Sequence, residues 1–193
     1  MAVDLLPTPV QDQVLIRDHP SRWGHASVGF CFIVKDGAKY LETNLDLLIT
    51  FAQRFAHHDI FVAENDSTDA TRSVLQRALD AGTITACEML TLDGKTSHEL
   101  CAPGENWNCT RRTRRLAYLR DRALALAYAS PLNYDYLVML DMDFVSFDPT
   151  ALFELFLYMR DHPQVNGIFG MSVTDEDRTC AYDWGAVSAD DAA

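Results

Sequence analysis

The stretch Tyr134-Asp-Tyr-Leu-Val-Met-Leu-Asp-Met-Asp-Phe-Val-Ser-Phe-Asp148 decides how the rest of the chain is read. Tyr136–Leu140 is an unbroken apolar run of the length of a strand buried on both faces. It stops at Asp141-Met142-Asp143. In an extended chain positions i and i+2 point the same way, so both carboxylates project together past the strand's C-terminal end. In open α/β sheets that rim is where ligands bind. Two adjacent carboxylates repel, and a bound cation keeps both ionised. Oxygen ligands suit Mg²⁺ or Mn²⁺, whose shells are commonly completed by substrate phosphates and water. Asp141 and Asp143 are therefore the expected metal–diphosphate site. An acidic turn that merely ends a strand is the competing reading, and Asp-x-Asp alone does not decide between them.

The chain of 193 residues is 48% apolar and 23% charged, ordinary for a globular domain with a real core. Its formal charge of −12 argues against nucleic acid or an anionic membrane as the main partner. No apolar run is long enough for a transmembrane segment and no N-terminal run has signal-peptide form, so a cytoplasmic location is expected. The five cysteines are scattered without a Cys-x-x-Cys, which fits reduced thiols. His98, Cys101 and Cys109 share a loop, but their spacing matches no common zinc site.

In chain order, residues 1–26 carry Pro7, Pro9 and Pro20 and no sustained periodicity, and read as an irregular arm. Val28–Val34 is the first expected strand, stopped by Lys35-Asp36-Gly37. Leu41, Leu45, Leu48, Ala52 and Phe55 recur at helical spacing, and Ile60–Ala63 is a second strand. Glu64-Asn-Asp-Ser-Thr-Asp-Ala-Thr71 leads into a helix reaching about Ala81, with Ser67 or Asp69 as its cap and Gly82 just past its end. Thr83–Glu88 gives a third strand, followed by a long polar loop over 91–108. Leu116, Leu119, Ala123, Leu126 and Ala127 mark one face of the next helix, which ends before Pro131. Asp148-Pro149 starts a last helix through Arg160, and Gly167–Val173 is the fifth strand. Alternation throughout predicts a three-layer α/β/α fold with a mostly parallel twisted sheet, residues 27–193 forming one domain.

Two acidic clusters thus fall at strand ends on one rim, Glu64–Asp69 after the second strand and Asp141/Asp143 after the fourth. A carboxylate at the first can accept from ribose hydroxyls or a base N–H. Capping explains Ser67 and Asp69 but not Glu64, which lies upstream of the cap. Arg111, Arg112, Arg114 and Arg115 open a helix, where the macrodipole disfavours cations. Guanidinium groups match phosphate oxygens, so Arg115 and Arg120 are expected at the donor phosphates and the other arginines on a solvated face.

These residues resemble a family. Glu64–Thr71 looks like the nucleotide-binding turn of GT-A fold glycosyltransferases, and Tyr134–Asp143 is similar to their Asp-x-Asp strand. Leu116-Ala-Tyr-Leu-Arg-Asp-Arg-Ala-Leu124 resembles the Leu-Ala-x-x-Arg-Asn-x-x-Leu helix of the fungal capsule-associated mannosyltransferase family, and Tyr182-Asp183-Trp184 resembles a downstream element of the same group. The resemblance implies a GT-A-type fold, a GDP- or UDP-sugar donor, and a glycan or lipid-linked acceptor. It places Mn²⁺ or Mg²⁺ at Asp143, Asp141 near the ribose or metal, and Glu64 and Asp66 near the nucleoside. Asp121 stands where that pattern has Asn, and the pattern's Arg-Asp after Trp184 is absent. GT-A enzymes usually continue into an acceptor-binding half, so a truncated acceptor side and slow transfer are expected. Asp183, set between two aromatic residues, is the acceptor-side candidate.

A haloacid-dehalogenase-type phosphatase shares the Asp-x-Asp strand but needs a downstream lysine, and Lys35, Lys39 and Lys95 all lie upstream. A nucleotidyltransferase on a related sheet would need a Gly-rich basic loop after the first strand, where this chain has Lys35-Asp36-Gly37-Ala38-Lys39. A non-catalytic nucleotide-sugar-binding remnant is the alternative from another class.

Overall fold

The computed structural model describes residues 25–93, 111–142, 149–162, 164, 172–173 and 180–181. Two compact units divide the chain at Phe147/Asp148. The first holds four parallel strands, β1 (Ser27–Val34), β2 (His57–Asn65), β3 (Ala86–Leu90) and β4 (Tyr136–Asp141), in the order β3-β2-β1-β4. Three helices connect them: α1 (Ala38–Ala52), α2 (Thr71–Asp80) and α3 (Arg111–Tyr128). The second unit contributes α4 (Pro149–Asp161) and an antiparallel pair, β5 (Ser172–Val173) with β6 (Cys180–Ala181). The α/β class and the parallel sheet match the GT-A-type expectation.

β1 is the strand buried on both faces, with all eight of its residues inside. Strand alternation sends its apolar side chains to two layers. Phe30 stacks edge-on against Phe51 and Phe55 beside α1, with ring centroids 6.0 and 6.2 Å away. Cys31 and Ile33 join Phe61 and Ala63 of β2 against Leu119, Ala123 and Ala127 of α3. The helical spacing read from the sequence is thus the face that α3 lays on the sheet. Burial of each of the larger side chains in this layer, such as Ile33, Phe61 and Leu119, contributes about 1.5–3 kcal/mol.

β4 runs one residue past the expected strand and is less buried than its composition suggests, with Leu137 37% exposed. It pairs only with β1 among the described residues, because the chain steps outward from β1 to β3 and then returns to the far side of β1. Its register is set at the start. Asp135 accepts the Ser27 N–H (2.8 Å) and hydroxyl (2.9 Å), and its own N–H donates to the Ser27 carbonyl. A Cβ on Gly29 would stand 2.8 Å from Leu137 Cδ2 and 3.2 Å from the Tyr134 ring, so glycine lets those side chains seat there.

α2 ends as its sequence demands. Gly82 adopts φ +70°, and the Gly82 and Thr83 N–H groups donate to the carbonyls of Leu79 and Ala78 (3.0 and 2.8 Å), a Schellman motif. Observed β2 is longer than the expected Ile60–Ala63 at both ends, since its polar ends pair in the sheet too. Residues 1–24 of the expected N-terminal arm, 94–108 of the expected polar loop and most of the fifth strand lie outside the described residues.

Candidate functional site at the strand C-terminal rim

The strand order switches direction between β1 and β4, and the C-terminal ends of strands at such a point are where open α/β sheets bind ligands. Asp141 closes β4 opposite Ile33, and that row continues through Ala63 to Glu88. Pairing persists one residue further, where the Met142 N–H donates to the Ile33 carbonyl (3.2 Å) and the Met142 side chain is fully buried. The chain therefore remains against β1 between the two acids. Asp143 and Asp183 lie outside the described residues. Among the described residues no three His, Cys, Asp or Glu side chains cluster as a metal cage. A site of two carboxylates completed by phosphate and water does not need one.

Beyond β2 the acidic turn is built in detail. Glu64 is fully buried; its Oε1 accepts the Ser67 N–H (2.7 Å) and its Oε2 pairs with Arg72 Nε (2.6 Å). Arg72 also donates from Nη2 to the Leu90 carbonyl at the end of β3 (2.8 Å). Glu64, expected near the nucleoside, is thus turned inward and holds the turn together. Arg72 was not anticipated, because its partners lie on two other elements.

Asp66 follows with φ +49°, a left-handed conformation that aspartate tolerates better than most residues. Its N–H donates to the same Leu90 carbonyl (3.2 Å). Its carboxylate accepts the Leu92 N–H on both oxygens (3.0 Å each) and the Asn65 amide on Oδ2 (3.1 Å). Partial burial pushes its pKa up. Hydrogen bonds from Asn65, Asp93 and Leu92, with the charge of Lys35, outweigh that and hold the carboxyl below the usual range. Asp66 is a fixed anion at the rim.

Arg115 reaches the same place from α3. Its Nη1 pairs with Asp93 (3.1 Å) and its Nη2 donates to the Leu92 carbonyl (3.2 Å). The structure therefore brings Asp66 and Arg115 together through Leu92, while Asp93 supplies one of the anions that an arginine-rich helix start calls for. Arg120 lies five residues on, about 7.5 Å down the helix axis and about 140° around it. It flanks the apolar stripe on the side opposite Arg115. Arg122, expected on a solvated face, instead forms a two-pronged pair with Glu88 in β3 (2.8 Å for each bond). That ion pair raises its already high pKa further.

The loop after β1 is latched to the loop after β2. Asp36, at φ +50°, accepts the Thr68 N–H (2.6 Å) and the Asp69 N–H (3.4 Å), while its own N–H donates to Ser67 Oγ (3.0 Å). Asp69 caps α2 through the Thr71 N–H (2.9 Å) and α1 through the Ala38 N–H (3.0 Å). The Gly37 N–H is taken by Thr71 Oγ1 (2.9 Å). The sequence names Asp69 as a cap for one helix; the structure gives it two. The first N–H of each of these two helices is thereby taken by the protein's own side chain. The loop after β1 is thus tied at Asp36, Gly37 and Ala38 to residues 67–71.

No family model and no curated protein matches this chain. The fungal capsule-associated resemblance gains no support from these comparisons. Among solved structures, the chain is similar to the crystal structure of S. aureus TarS 1–349 in complex with UDP, with 14% identity and a TM-score of 0.45 over 71% of this chain. A second crystal structure of S. aureus TarS matches with 14% identity and a TM-score of 0.43 over 77% of this chain. The chain spans 33% and 23% of those two chains. At that distance the likeness concerns the fold alone. No helix among the described residues is long and apolar enough to cross a membrane.

Proposed function

We propose that this protein is a glycosyltransferase that moves a sugar from a nucleotide-diphosphate donor to a glycan or other hydroxyl acceptor with the help of Mn²⁺ or Mg²⁺. The observation that carries the reading is the meeting of a fixed carboxylate, Asp66, and a fixed guanidinium, Arg115, on the rim to which β4 delivers Asp141. Asp66 would receive donors from the nucleoside and Arg115 a phosphate. Glu64 and Arg72 would keep Asp66 in place. Arg120, on the other flank of α3, would serve the phosphates from further down the helix.

The ion would be held by Asp141 and Asp143 and would neutralise charge that builds on the leaving diphosphate. Asp183 remains the candidate for the acceptor side, and mannose the sugar that the fungal resemblance suggests. The latched loop after β1 weighs against the nucleotidyltransferase alternative. The test is a panel of nucleotide sugars incubated with Mn²⁺, with and without acceptors. Release of nucleoside diphosphate that rises with an acceptor supports transfer. Binding without any release would leave a non-catalytic nucleotide-sugar module.

A further inference from the structure

We infer that the Val14-Leu15-Ile16 segment of the N-terminal arm seats in an apolar groove at the N-terminal end of β4. Ala127, Tyr128, Leu132, Asn133, Tyr134 and Leu137 line this groove, which has a volume of about 150 Å³. Tyr128 is 75% exposed and Leu132 42%, with Leu137 only a little more covered. Scattered apolar residues on a surface need no explanation, but these three converge on one groove between the end of α3, the turn after it and β4. The Tyr134 hydroxyl is committed to Asp59 (2.5 Å) and Ser130 (2.8 Å), so its ring rather than its polar tip is what the groove offers. Leu137 stands four residues before Asp141, about 13 Å along the strand and away from the rim. An apolar occupant suits these walls better than a sugar does.

The arm joins the fold beside this groove. Ser27 opens β1 with its hydroxyl 3.0 Å from the Asn133 carbonyl, and two residues later Gly29 pairs with Leu137. Just ahead of Ser27, the Ala26 carbonyl accepts the Ala56 N–H (2.9 Å) and the chain turns at His25 instead of running straight on from β1. Residues 1–24 lie outside the described ones, and within them Val14-Leu15-Ile16 is the longest run of Val, Leu and Ile. Ser27 comes eleven positions after Ile16, a reach of up to about 36–40 Å, whereas Leu137 is roughly 8 Å from Ser27. Pro20 and Gly24 supply turn residues for the return. In an extended segment Val14 and Ile16 share one side, and a cavity of about 150 Å³ holds a benzene-sized group. The tether also gives the segment an effective concentration on the order of millimolar, an advantage that a second copy of the chain lacks.

The experiment is a double-mutant cycle on the full chain, read as melting temperature. Ile16→Asp and Leu132→Asp should each lower it by about 3–8 °C. Both together should lower it no further than either alone, because one contact can be lost only once. Hydrogen exchange on the unsubstituted chain covers the case in which Leu132→Asp fails to fold. There the amides of residues 14–16 should exchange at least about tenfold more slowly than a free chain does. Additive losses from the two substitutions, no loss from Ile16→Asp, or free-chain exchange at residues 14–16 would each overturn the inference. A wild-type melting temperature that rises with protein concentration, with Ile16→Asp harmless, would give the groove to a second copy and overturn it as well. None of these outcomes depends on nucleotide binding.

Discussion

Asp66 and Arg115 are held by opposite ends of one residue: Leu92 donates its N–H to the Asp66 carboxylate at 3.0 Å and accepts Arg115 Nη2 on its carbonyl at 3.2 Å. Leu92 itself is fully buried, so the spacing between anion and cation is set by the core. A guanidinium fork makes this link with two separate nitrogens, which a lysine cannot reproduce. Arg115→Lys is therefore expected to weaken nucleotide binding about three- to tenfold, with little change in melting temperature. Calorimetry beside a thermal melt checks it; unchanged affinity would show that charge alone is used.

Arg120 and Arg122 separate two roles that look alike in sequence. Arg122 is committed to Glu88, so Arg122→Lys should lower thermal stability and leave nucleotide affinity alone. Arg120→Lys should weaken nucleotide binding. Equal losses of affinity in both variants would reduce the arginine requirement to general basicity.

Much of the rim was legible because local rules apply to it. An apolar run ended by Asp141 marks β4, and Gly82 sits where a Schellman turn needs a left-handed residue. What stayed hidden was non-local. Asp36 lies in an ordinary strand-ending tripeptide, and nothing near it in sequence announces hydrogen bonds to residues 67–69. Glu64 could not be told from a ligand-binding carboxylate until Arg72, eight residues away, was seen to neutralise it. Arg122 and Glu88 meet only because α3 crosses β3. Conversely, the apolar content of β4 overstated its burial, because sequence does not reveal that β4 pairs only with β1 among the described residues.

Glu64 is a stability residue on this account. Its side chain is 0% exposed and that of Arg72 is 40% exposed. Glu64→Gln keeps an acceptor for the Ser67 N–H but leaves Arg72 without its charge partner. Unfolding in urea should show a loss of about 1–3 kcal/mol, less than a fully buried pair because Arg72 is partly solvated. The Arg77–Glu42 pair is the control, with both side chains more than 60% exposed. Glu42→Gln should cost no more than about 0.5 kcal/mol. Equal costs would contradict the assignment of the buried turn to Glu64.

Acid should loosen the latch between the two rim loops. The Thr68 N–H above all, with Asp69 N–H and Thr68 hydroxyl, holds the Asp36 carboxyl below its ordinary value; Asp69 is likewise lowered despite the opposing effect of its partial burial. A group depressed in the folded state stabilises above its unfolded value, about 3.9 for aspartate, and loses that contribution as pH falls through the folded one. Stability should therefore drop from about pH 4 downward, and more gently in Asp36→Asn, which tolerates the left-handed backbone. Urea midpoints across pH 2–6 measure this, and identical acid slopes for the two proteins would refute the latch as their source.

The central claim is a nucleotide diphosphate held by a divalent ion where β4 meets the rim, and one titration tests it most directly. UDP and GDP are titrated into the wild-type chain with Mn²⁺, into the same protein with the metal chelated, and into Asp143→Ala with Mn²⁺, folding being checked by thermal melt. The account predicts that chelation and the substitution each weaken the better-bound nucleotide at least about tenfold, because the carboxylates hold the ion that the phosphates complete. Affinity unchanged in both, with the fold intact, would contradict it.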